Sequence, residues 1–284
     1  LDPILLRQLS RVLASVGYLE MCGRTGADEG FCLTERSRAT LLQDAPAALD
    51  AWVEHNLLHH RLFADLESGL RRDRDGETHH HPPCWRTYQR AMLQTARPIA
   101  QRVAEATPAP LGRERLLDLG GGHGLYGATI ARRYPPMCVE VLDLPEAIPH
   151  AEAMGRQEGL DDVASYHPAD LRTHDLGEAS CDLVFLGNIL HHVAAGEVSP
   201  FLRRVHRALR PGGVVALWDM ASAPGGAAEL DMLEEGFALL FALCSGSAPM
   251  AAADYGQALI DAGFQETTST PSLSPTHVLT TGRR

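Results

Sequence analysis

The stretch LLDLGGGHGLYG, residues 116–127, decides the fold of this 284-residue chain. A short apolar run leads to Asp118, and five glycines follow within the next stretch, residues 120–127. Glycine at this density after an apolar run marks a strand that turns sharply into a helix, where a bound group approaches the backbone too closely for a Cβ atom. The stretch therefore predicts a ligand-binding turn between a strand and a helix.

Two glycine patterns overlap in this turn. Gly122, Gly124 and Gly127 fit the dinucleotide fingerprint G-x-G-x-x-G. Asp118, Gly120, Gly122 and Gly124 are similar to the D-x-G-x-G-x-G loop of methyltransferases that use S-adenosylmethionine (SAM). Because a glycine fingerprint alone is a weak signal, the rest of the chain has to decide between the two cofactors.

The composition excludes several classes of function. The chain contains no lysine, which rules out a Schiff base with pyridoxal phosphate and the lysine of a P-loop. The net charge of -11 argues against a nucleic-acid or anionic-membrane partner, since phosphate contacts need a basic surface. The chain lacks an apolar run of the roughly 20 residues that a membrane span needs, and its first residues lack a signal peptide's features, so we expect a cytoplasmic protein.

The cysteines and histidines suggest no metal site. Six cysteines are scattered without a C-x-x-C pair, so we expect reduced thiols and neither a disulfide framework nor a zinc site. His55, His59 and His60 are spaced by one helical turn, which favours helix surface or pocket lining over metal binding. The run 79–81 of three histidines near Cys84 is most simply a polar loop.

The first part of the chain reads as helical. An amphipathic helix with Leu6, Leu9 and Val12 on one face precedes a glycine-rich turn and a second helix, the order of a winged helix. Further helices are predicted over 46–70 and 85–107. Residues 1–75 hold nine arginines against twelve acidic residues, which argues against DNA contact but leaves a DNA-binding or SAM-sensing regulator as the alternative from another class.

From residue 116 onward the rhythm changes to alternating strands and helices. Apolar strand-like runs such as CVEVLDL, CDLVFLGNI and VVALWDM alternate with helices near 124–134, 145–158, 195–210, 228–244 and 252–262. This alternation predicts an α/β fold with a doubly wound, mostly parallel, Rossmann-like sheet. We expect a helical, winged-helix-like domain over 1–108 and a cofactor-binding catalytic domain over 109–284, with the ligand at the carboxyl ends of the strands.

Later motifs favour SAM over NAD. Asp143 ends the second strand, where an acid accepts hydrogen bonds from the ribose hydroxyls of either cofactor. The segment HRALRPGGVVALWD, which is a helix stopped by Pro-Gly-Gly before an apolar strand, and Asp170 in HPADLR complete a motif order that resembles class I SAM-dependent methyltransferases.

Several stretches narrow the resemblance. The winged-helix start, YQRAMLQTARPIAQRV, LLDLGGGHG, LDLPEAI and FLGNILHHV resemble the small-molecule O-methyltransferases of bacterial and plant secondary metabolism. The resemblance implies SAM as methyl donor, S-adenosylhomocysteine as product, no metal, and a homodimer in which the N-terminal part closes the partner's active site. It also implies six residues that contact the cofactor. Gly120 and Gly122 lie close to the methionine part, Asp143 holds the ribose, and Leu144 packs on the adenine. Asp170 reaches the adenine amine, with Leu171 beside it.

The same resemblance assigns the chemistry. His191 in Leu190-His191-His192-Val193 occupies the place of the histidine in the family's L-H-D-W motif, and Asp219 occupies the place of the acid that orients it. A neutral imidazole can take the proton of a phenol as its oxygen attacks the methyl group. We expect the acceptor to be a hydroxyl, phenolic in character, of an apolar aromatic metabolite that is bound by Phe237, Phe241 and Met92.

Two departures from the family pattern keep an alternative open. Gly187 replaces a lysine that lies beneath the adenine in many members. The family's G-G-x-E-R-T segment, which brings a second glutamate to the histidine, is replaced by GSAPMA at 246–251. Some relatives of this fold bind SAM yet catalyse hydroxylation, decarboxylation or ring closure, so a non-methylating reaction is the alternative.

Overall fold

The computed structural model describes residues 1–23, 30–45, 47–71, 85–221, 232–270 and 273–284. Its first part contains six helices and a short hairpin within these ranges. In chain order they are α1 (Pro3–Ser15), β1 (Leu19–Met21), β2 (Phe31–Leu33), α2 (Glu35–Leu41), α3 (Asp50–Ala64), α4 (Leu66–Arg71), α5 (Trp85–Ala96) and α6 (Ala100–Ala106). The predicted order of helix, hairpin and helix is therefore confirmed for α1 to α2.

Local sequence explains where these helices begin. The Asp2 side chain accepts hydrogen bonds from the backbone N–H groups of Ile4 (2.8 Å) and Leu5, and Pro3 occupies the first turn of α1, where its missing N–H is not needed. Thr34 caps α2 in the same way through the N–H of Ser37. These caps fix the ends of helices that otherwise bury little of their own surface.

The remainder of the described chain forms the α/β part. Its elements are β3 (Arg115–Leu119), α7 (Leu125–Arg133), β4 (Cys138–Asp143), α8 (Ile148–Gln157), β5 (Ala164–Pro168), β6 (Cys181–Gly187), a 3₁₀ turn (Leu190–His192), α9 (Ala195–Ala208), β7 (Leu209–Met220), α10 (Met232–Ser245), α11 (Ala252–Asp261), β8 (Gln265–Thr270) and β9 (His277–Arg283). Every helix and strand predicted for this part is present, with bounds that differ by a few residues, and the start of the helix predicted over 228–244 lies outside the described residues.

The sheet has seven strands in the order β5-β4-β3-β6-β7-β9-β8. The strands from β5 to β7 are parallel, while β9 runs antiparallel to both β7 and β8. The chain reverses its direction of winding between β3 and β6, which places the topological switch point at the carboxyl end of β3. The glycine-rich turn follows β3 directly, so the predicted Rossmann-like fold is confirmed and the turn lies at the edge where the ligand is expected.

Two apolar clusters cover the two faces of this sheet. One contains Leu119, Leu186 and Leu217 from the strands together with α9 and α11, and the other contains Leu116 and Phe185 together with α6 and α7. Central strands buried on both faces read as nearly continuous apolar runs, which is why the sequence shows them clearly. None of the helices in the described ranges is long and apolar enough to cross a membrane.

One sequence-based expectation about the cysteines is wrong. Cys22 and Cys32 form a disulfide across the β1–β2 hairpin, where the N–H of Cys22 donates to the carbonyl of Gly30. The expectation assumed isolated thiols because no C-x-x-C pair is present, but the antiparallel pairing of β1 with β2 brings these two cysteines, ten residues apart, into diagonal contact. Cys138 and Cys181 are free thiols, as predicted.

The helical part contacts the α/β part chiefly through α5 and α6. Helix α5 packs against α3 on one side and against α7 and α8 on the other. Val103 and Ala104 of α6 join the apolar cluster over β3. The position of a domain boundary at residue 108 stays a prediction. What the packing establishes is that α5 lies next to the glycine-rich turn.

Candidate cofactor and catalytic site

The glycine-rich turn after β3 uses backbone conformations that favour glycine. Gly120 and Gly122 have φ angles of +65° and +51°, in the left-handed region that side chains with a Cβ rarely adopt. A Cβ at Gly120 would collide with the side chain of Ile189, and one at Gly122 would lie 2.7 Å from Oε1 of Gln89. The turn is thus enclosed by side chains from the loop after β6 and from α5.

Asp143 joins the end of β4 to this turn. Its Oδ2 atom accepts a hydrogen bond from the N–H of Gly122 (2.9 Å), and its Oδ1 atom accepts one from the N–H of Leu144 (2.7 Å). Burial raises the pKa of Asp143, against the effect of these two N–H donors. The structure therefore brings Asp143, Leu144 and Gly122 together at the carboxyl edge of the sheet.

Asp170 and Leu171 follow β5 at the same edge. Leu171 is half-buried, and its Cδ1 atom lies 3.8 Å from the position that a Cβ at Gly120 would occupy. Asp170 forms an ion pair with Arg172 (2.7 Å) and accepts a hydrogen bond from its N–H (3.0 Å). Leu171 thus borders the glycine-rich turn, whereas the carboxylate of Asp170 is engaged by a neighbouring arginine.

His191 and Asp219 form a buried pair. The Nδ1 atom of His191 lies 2.5 Å from Oδ1 of Asp219, and the side chains are 3% and 1% exposed. Oδ2 of Asp219 accepts hydrogen bonds from the N–H groups of Ile189 (3.1 Å) and Leu190 (2.8 Å). One carboxylate at the end of β7 therefore holds both the imidazole and the backbone of the turn that carries it.

This contact fixes the tautomer of His191. A carboxylate can only accept, so the Nδ1 atom of His191 carries the proton and donates it to Asp219. In the neutral ring the Nε2 atom then holds the lone pair and is the basic nitrogen. An imidazole oriented in this way has the arrangement of a general base, with an acid that stabilises the imidazolium once it forms.

His192 lies close to the ring of His191. Neighbouring side chains at a strand end would point to opposite faces, but residues 190–192 form a 3₁₀ turn rather than the end of β6. The rings of His191 and His192 have centroids 4.1 Å apart, and both contact Phe241, at 4.2 and 5.7 Å. His192 consequently lies next to the same aromatic side chain as His191.

Helix α10 supplies the aromatic neighbours of this pair. Phe241 is buried against His191, and Phe237 stacks on Phe241 at a centroid distance of 6.4 Å. Phe237 also packs against a small apolar cluster of Leu62 on α3 with Leu240 and Cys244 on α10. Met92, the third residue predicted to contact the acceptor, is half-buried on α5.

Helix α3 brings two buried histidines towards this region. His55 lies 4.9 Å from His59 and 5.2 Å from Tyr88 of α5, measured between ring centroids. Burial lowers the pKa of both histidines, that of His59 to about 4. Burial and the nearby Asp143 carboxylate raise the pKa of Tyr88. The predicted pocket-lining character of His55 and His59 fits these contacts, while His60 is exposed.

No metal centre is found in the described part of the chain. Within it, no group of three or more histidine, cysteine, aspartate or glutamate side chains could hold a metal ion. The histidine run at 79–81 and Cys84 lie outside the described residues.

A family model identifies the chain. Residues 76–265 match the model described as an O-methyltransferase domain, and this match covers the glycine-rich turn, Asp143, His191 and Asp219. The chain belongs to the O-methyltransferase family. It is a SAM-dependent methyltransferase of a family that serves secondary-metabolite and pigment biosynthesis.

Individual relatives agree with this assignment. N,N-dimethyltransferase OxyT of Streptomyces rimosus is 26% identical over 247 residues, 81% of this chain and 69% of OxyT. Demethylspheroidene O-methyltransferase of Cereibacter sphaeroides is 27% identical over 260 residues, 87% of this chain and 67% of the relative. Acetylserotonin O-methyltransferase of Rattus norvegicus is 38% identical over 128 residues, 45% of this chain but only 29% of the rat protein.

Solved structures share the fold. Human N-acetylserotonin methyltransferase in complex with SAM aligns with a TM-score of 0.80 at 19% identity, covering 98% of this chain and 82% of the human one. Mitomycin 7-O-methyltransferase MmcR aligns with a TM-score of 0.77 at 24% identity, covering 99% and 84%. At these identities the likeness establishes the architecture of this O-methyltransferase.

The residues around the glycine-rich turn fit SAM. The turn leaves no room for side chains at Gly120 and Gly122, Asp143 presents a carboxylate beside it, and Asp118 has a buried oxygen, Oδ1, without a hydrogen-bond partner among the described residues. An adenosyl ligand with a ribose and a charged amino-acid end supplies donors of the kind that such oxygens need.

Sequence reasoning missed two residues at the site. Gln89 on α5 faces Gly122, and Ser247 donates a hydrogen bond from its hydroxyl to the carbonyl of His191. Gln89 lies within the YQRAM stretch, which was part of the resemblance to the family. Its position in the sequence near Tyr88 and Met92 could therefore have indicated that it belongs to the site. Ser247 belongs to the segment that replaces the family's glutamate, and this O-methyltransferase uses that segment to hold the backbone of His191.

Proposed function

We propose that this O-methyltransferase transfers a methyl group from SAM to a phenolic hydroxyl of an apolar aromatic metabolite. The observation that carries the proposal is the buried pair of His191 and Asp219, at 2.5 Å, with the basic Nε2 atom left for the acceptor. A phenol has a pKa near 10, so a positioned imidazole assists its ionisation at neutral pH. The pair can assist the ionisation only of a hydroxyl that binds next to the Nε2 atom of His191.

His191 and Asp219 have different roles in the proposed reaction. When bound, SAM supplies an electrophilic methyl group, so that the acceptor oxygen gains a bond to carbon as the carbon–sulfur bond breaks and S-adenosylhomocysteine is left. His191 receives the hydroxyl proton on Nε2. Asp219 holds the ring and stabilises its positive charge, and the enclosed site keeps the reactants aligned, which supplies much of the rate.

We assign the cofactor contacts on the same basis. The carboxylate of Asp143 holds the ribose hydroxyls, with Leu144 packed on the adenine, while Gly120 and Gly122 allow the methionine part to approach the backbone. Asp170 and Leu171 contact the far side of the adenine. Because Asp170 is paired with Arg172, this contact requires either a shared carboxylate or a rotation of the exposed arginine.

The acceptor binds between α3, α5 and α10. Phe241 beside His191, with Phe237 stacked behind it, offers aromatic surface to a flat acceptor. His55, His59 and Tyr88, whose rings contact one another, would form a more polar wall of this site. Met92 on α5 would complete the lining. We therefore propose an aromatic acceptor that carries polar substituents at the end away from His191.

An amine acceptor is the second candidate, because OxyT is an N,N-dimethyltransferase by name and aligns with 81% of this chain. A neutral amine attacks through its own lone pair and loses its proton only after the bond has formed, so it depends less on a general base. The two candidates thus differ in how strongly they need His191.

Incubation with isotopically labelled SAM and a panel of phenols and aryl amines, followed by mass spectrometry of the products, tests the proposal. We expect labelled aryl methyl ethers from at least one phenol and a loss of that activity on His191→Gln. Methylated amines formed equally well by wild type and His191→Gln would replace the proposal by the second candidate. Consumption of SAM with no methylated product would favour the non-methylating alternative.

We further propose that two copies of the chain form a homodimer through α1. No residue of α1 is buried, although the helix is amphipathic. The exposed apolar side chains of this face are Ile4, Leu5, Leu6, Leu9, Val12 and Val16. An apolar face of this extent is typical of an interaction surface, and a second copy is the partner that the family resemblance implies.

Light scattering coupled to size-exclusion chromatography tests the dimer. We expect the wild type to elute with twice the mass of one chain, and the double variant Leu9→Glu, Val12→Glu to elute as a monomer with unchanged circular dichroism. A wild-type monomer at micromolar concentration would rule the dimer out. A cytoplasmic location stays a prediction alongside it.

A further inference from the structure

Gln89 is a buried amide on α5 that faces the glycine-rich turn from the helical part of the chain. Its side chain is 2% exposed. Oε1 lies 2.7 Å and Nε2 3.3 Å from the position that a Cβ at Gly122 would occupy. The amide therefore lies against the backbone of the turn at the place where the methionine part of the cofactor approaches it.

The oxygen of this amide has no donor within the described part of the chain. Leaving a buried acceptor without a hydrogen bond is costly, and such groups in a native protein call for an explanation. Solvent is a poor candidate because the side chain is almost wholly buried. A ligand that brings its own N–H or O–H groups to the turn would satisfy the oxygen.

A second glutamine on the same helix shows the contrast. Gln94 is also buried, with 5% of its surface exposed. Its Nε2 atom donates to Asp50 (2.8 Å) and its Oε1 atom accepts from the N–H of Trp52 (3.1 Å), so both ends of the amide are used inside the protein. Gln94 is a structural amide that joins α5 to α3, and Gln89 is not.

A further acceptor lies beneath the neighbouring glycine. Asp118 is 1% exposed, and its Oδ2 atom accepts from the N–H of Gly127 (3.2 Å), while Oδ1 has no hydrogen-bond partner among the described residues. Its Cγ and both oxygens would obstruct a Cβ at Gly121. Two oxygens that lack donors within the described residues thus adjoin the consecutive glycines Gly121 and Gly122, which suits a ligand group rich in donors.

We propose that Oε1 of Gln89 accepts a hydrogen bond from the α-ammonium group of the cofactor's methionine part. The proposal rests on the proposed function, since it takes SAM as the ligand. An ammonium group carries three donors and a positive charge, and charge-assisted bonds to oxygen are among the stronger ones. The carboxylate of the same methionine part would be repelled by Oε1 of Gln89 and by Oδ1 of Asp118. These two oxygens therefore favour the ammonium group over the carboxylate.

The proposal gives α5 a role in cofactor recognition. The neighbouring residue Tyr88 contacts His55 of α3, and α5 packs against α3 and α8. A hydrogen bond from the cofactor to Gln89 would therefore stabilise the position of the helical wall of the acceptor site. Cofactor binding and closure of that wall would be coupled through one residue.

Calorimetric titration with four ligands tests the assignment. S-adenosylhomocysteine carries both charged groups, 5′-(3-aminopropylthio)-5′-deoxyadenosine only the amine, 5′-(3-carboxypropylthio)-5′-deoxyadenosine only the carboxylate, and 5′-methylthioadenosine neither. We expect Gln89→Leu to weaken the two amine-bearing ligands by about 10- to 150-fold, the worth of a hydrogen bond to a charged group, and to leave the other two within twofold of wild type.

Matched variants separate this role from a structural one. Gln89→Glu keeps an acceptor oxygen and should bind S-adenosylhomocysteine at least as well as wild type. Gln89→Leu should keep or raise the melting temperature of the ligand-free protein, because it removes a buried acceptor that has no donor. Gln94→Leu should lower that temperature and keep the wild-type affinity ratio of S-adenosylhomocysteine to 5′-methylthioadenosine.

Three results would overturn the assignment. Equal affinity of Gln89→Leu and wild type for S-adenosylhomocysteine would remove Gln89 from the cofactor site while the proposed function stands. Selective weakening of the carboxylate-bearing ligands would mean that the amide offers Nε2 and binds the opposite end. Failure of the wild type to bind S-adenosylhomocysteine at all would remove both this assignment and the proposed function.

Discussion

Asp219 holds His191 by one oxygen and the backbone in front of it by the other. Oδ1 lies 2.5 Å from Nδ1 of the imidazole, and Oδ2 accepts the N–H groups of Ile189 and Leu190. The N–H of Met220 also donates to Oδ1 (2.8 Å). The orientation of the imidazole and the conformation of its turn therefore depend on a single carboxylate, which links catalysis to local stability.

Removing the imidazole should abolish the base and spare the cofactor site. We expect His191→Gln to lower methyl transfer to a phenol by about 10²- to 10⁴-fold, the usual worth of a positioned base. Affinity for S-adenosylhomocysteine should stay within twofold of wild type, because the contacts proposed for the cofactor lie elsewhere. Steady-state kinetics and calorimetry measure the two quantities.

His192→Gln is the control for this variant. It should retain most of the activity, although the contact of His192 with Phe241 makes a modest rise in the acceptor's KM the expected cost. A loss of turnover on His192→Gln with none on His191→Gln would mean that the base is the second histidine.

Asp219→Asn should lower both rate and stability. The amide has one acceptor oxygen where the carboxylate has two, so it cannot face the imidazole N–H and the N–H groups of Ile189 and Leu190 together. We expect the folded state to lose about 1–3 kcal/mol, the penalty for a buried donor left without a partner, in addition to a lower rate. Denaturant unfolding of Asp219→Asn and of His191→Gln separates the loss of stability from the loss of rate. Equal stability of Asp219→Asn and wild type would show that Asp219 does not hold the backbone of the turn at Ile189 and Leu190.

Asp143→Ala should weaken every adenosyl ligand. Loss of charge-assisted hydrogen bonds to the ribose costs about 1.5–3 kcal/mol, or roughly 10- to 150-fold in affinity. Because the ribose is common to S-adenosylhomocysteine and 5′-methylthioadenosine, both should weaken together, in contrast to Gln89→Leu. The Gly122 N–H also loses its acceptor, so circular dichroism must confirm the fold. A correctly folded variant with unchanged affinity for both ligands would exclude Asp143 from the ribose.

Sequence periodicity captured the centre of the sheet and missed its edges. The strands β3, β4, β6 and β7 contain apolar runs, and each was predicted. The edge strands β5 and β8 read ASYHP and QETTST and have mostly exposed side chains. A strand with one neighbour and little buried surface carries no strong apolar pattern, so only pairing with β4 and β9 defines it.

Some residues of the candidate site could be predicted from their position in the sequence, whereas others depend on contacts between distant parts of the chain. Residues at the end of a strand, such as Asp143 and Asp219, could be placed at this edge because the parallel sheet brings strand ends together. Gln89 could not, because its contact with Gly122 depends on how α5 packs across the turn. The position of His192 could not be predicted either, because the chain leaves β6 before Leu190 and enters a 3₁₀ turn, a boundary that sequence patterns locate poorly.

The disulfide predicts a specific cross-linked peptide. Proteolysis of the native, unreduced protein followed by mass spectrometry should yield a species that contains Cys22 joined to Cys32. Reduction before alkylation should add two modified thiols at these positions, while the exposed Cys138 is alkylated in either case. Alkylation of Cys22 and Cys32 without prior reduction would show that the hairpin holds free thiols.

We expect the titration of His123, the histidine of the glycine-rich turn, to contribute to the pH dependence of the free energy of unfolding. Its ring is 4% exposed, and its Nδ1 atom accepts a hydrogen bond from the N–H of Leu125 (3.0 Å). Burial lowers the pKa of His123 to about 4, against about 6.5 in the unfolded chain. Between pH 6.5 and 4 the unfolded state therefore binds more protons at this site, so the stability that His123 contributes is lost as pH falls through this window.

The variant His123→Asn isolates that contribution. Asparagine can accept the N–H of Leu125 two residues on but does not titrate, so the variant should lose less stability than wild type on acidification, by at most about 1.4 kcal/mol per pH unit below 6.5. Asp118, whose pKa burial raises to about 7, acts with the opposite sign and is common to both proteins. His167→Asn, at an exposed position, is the matched control. Parallel slopes for His123→Asn and wild type in denaturant unfolding at pH 7, 6 and 5 would show that His123 is protonated in the folded state.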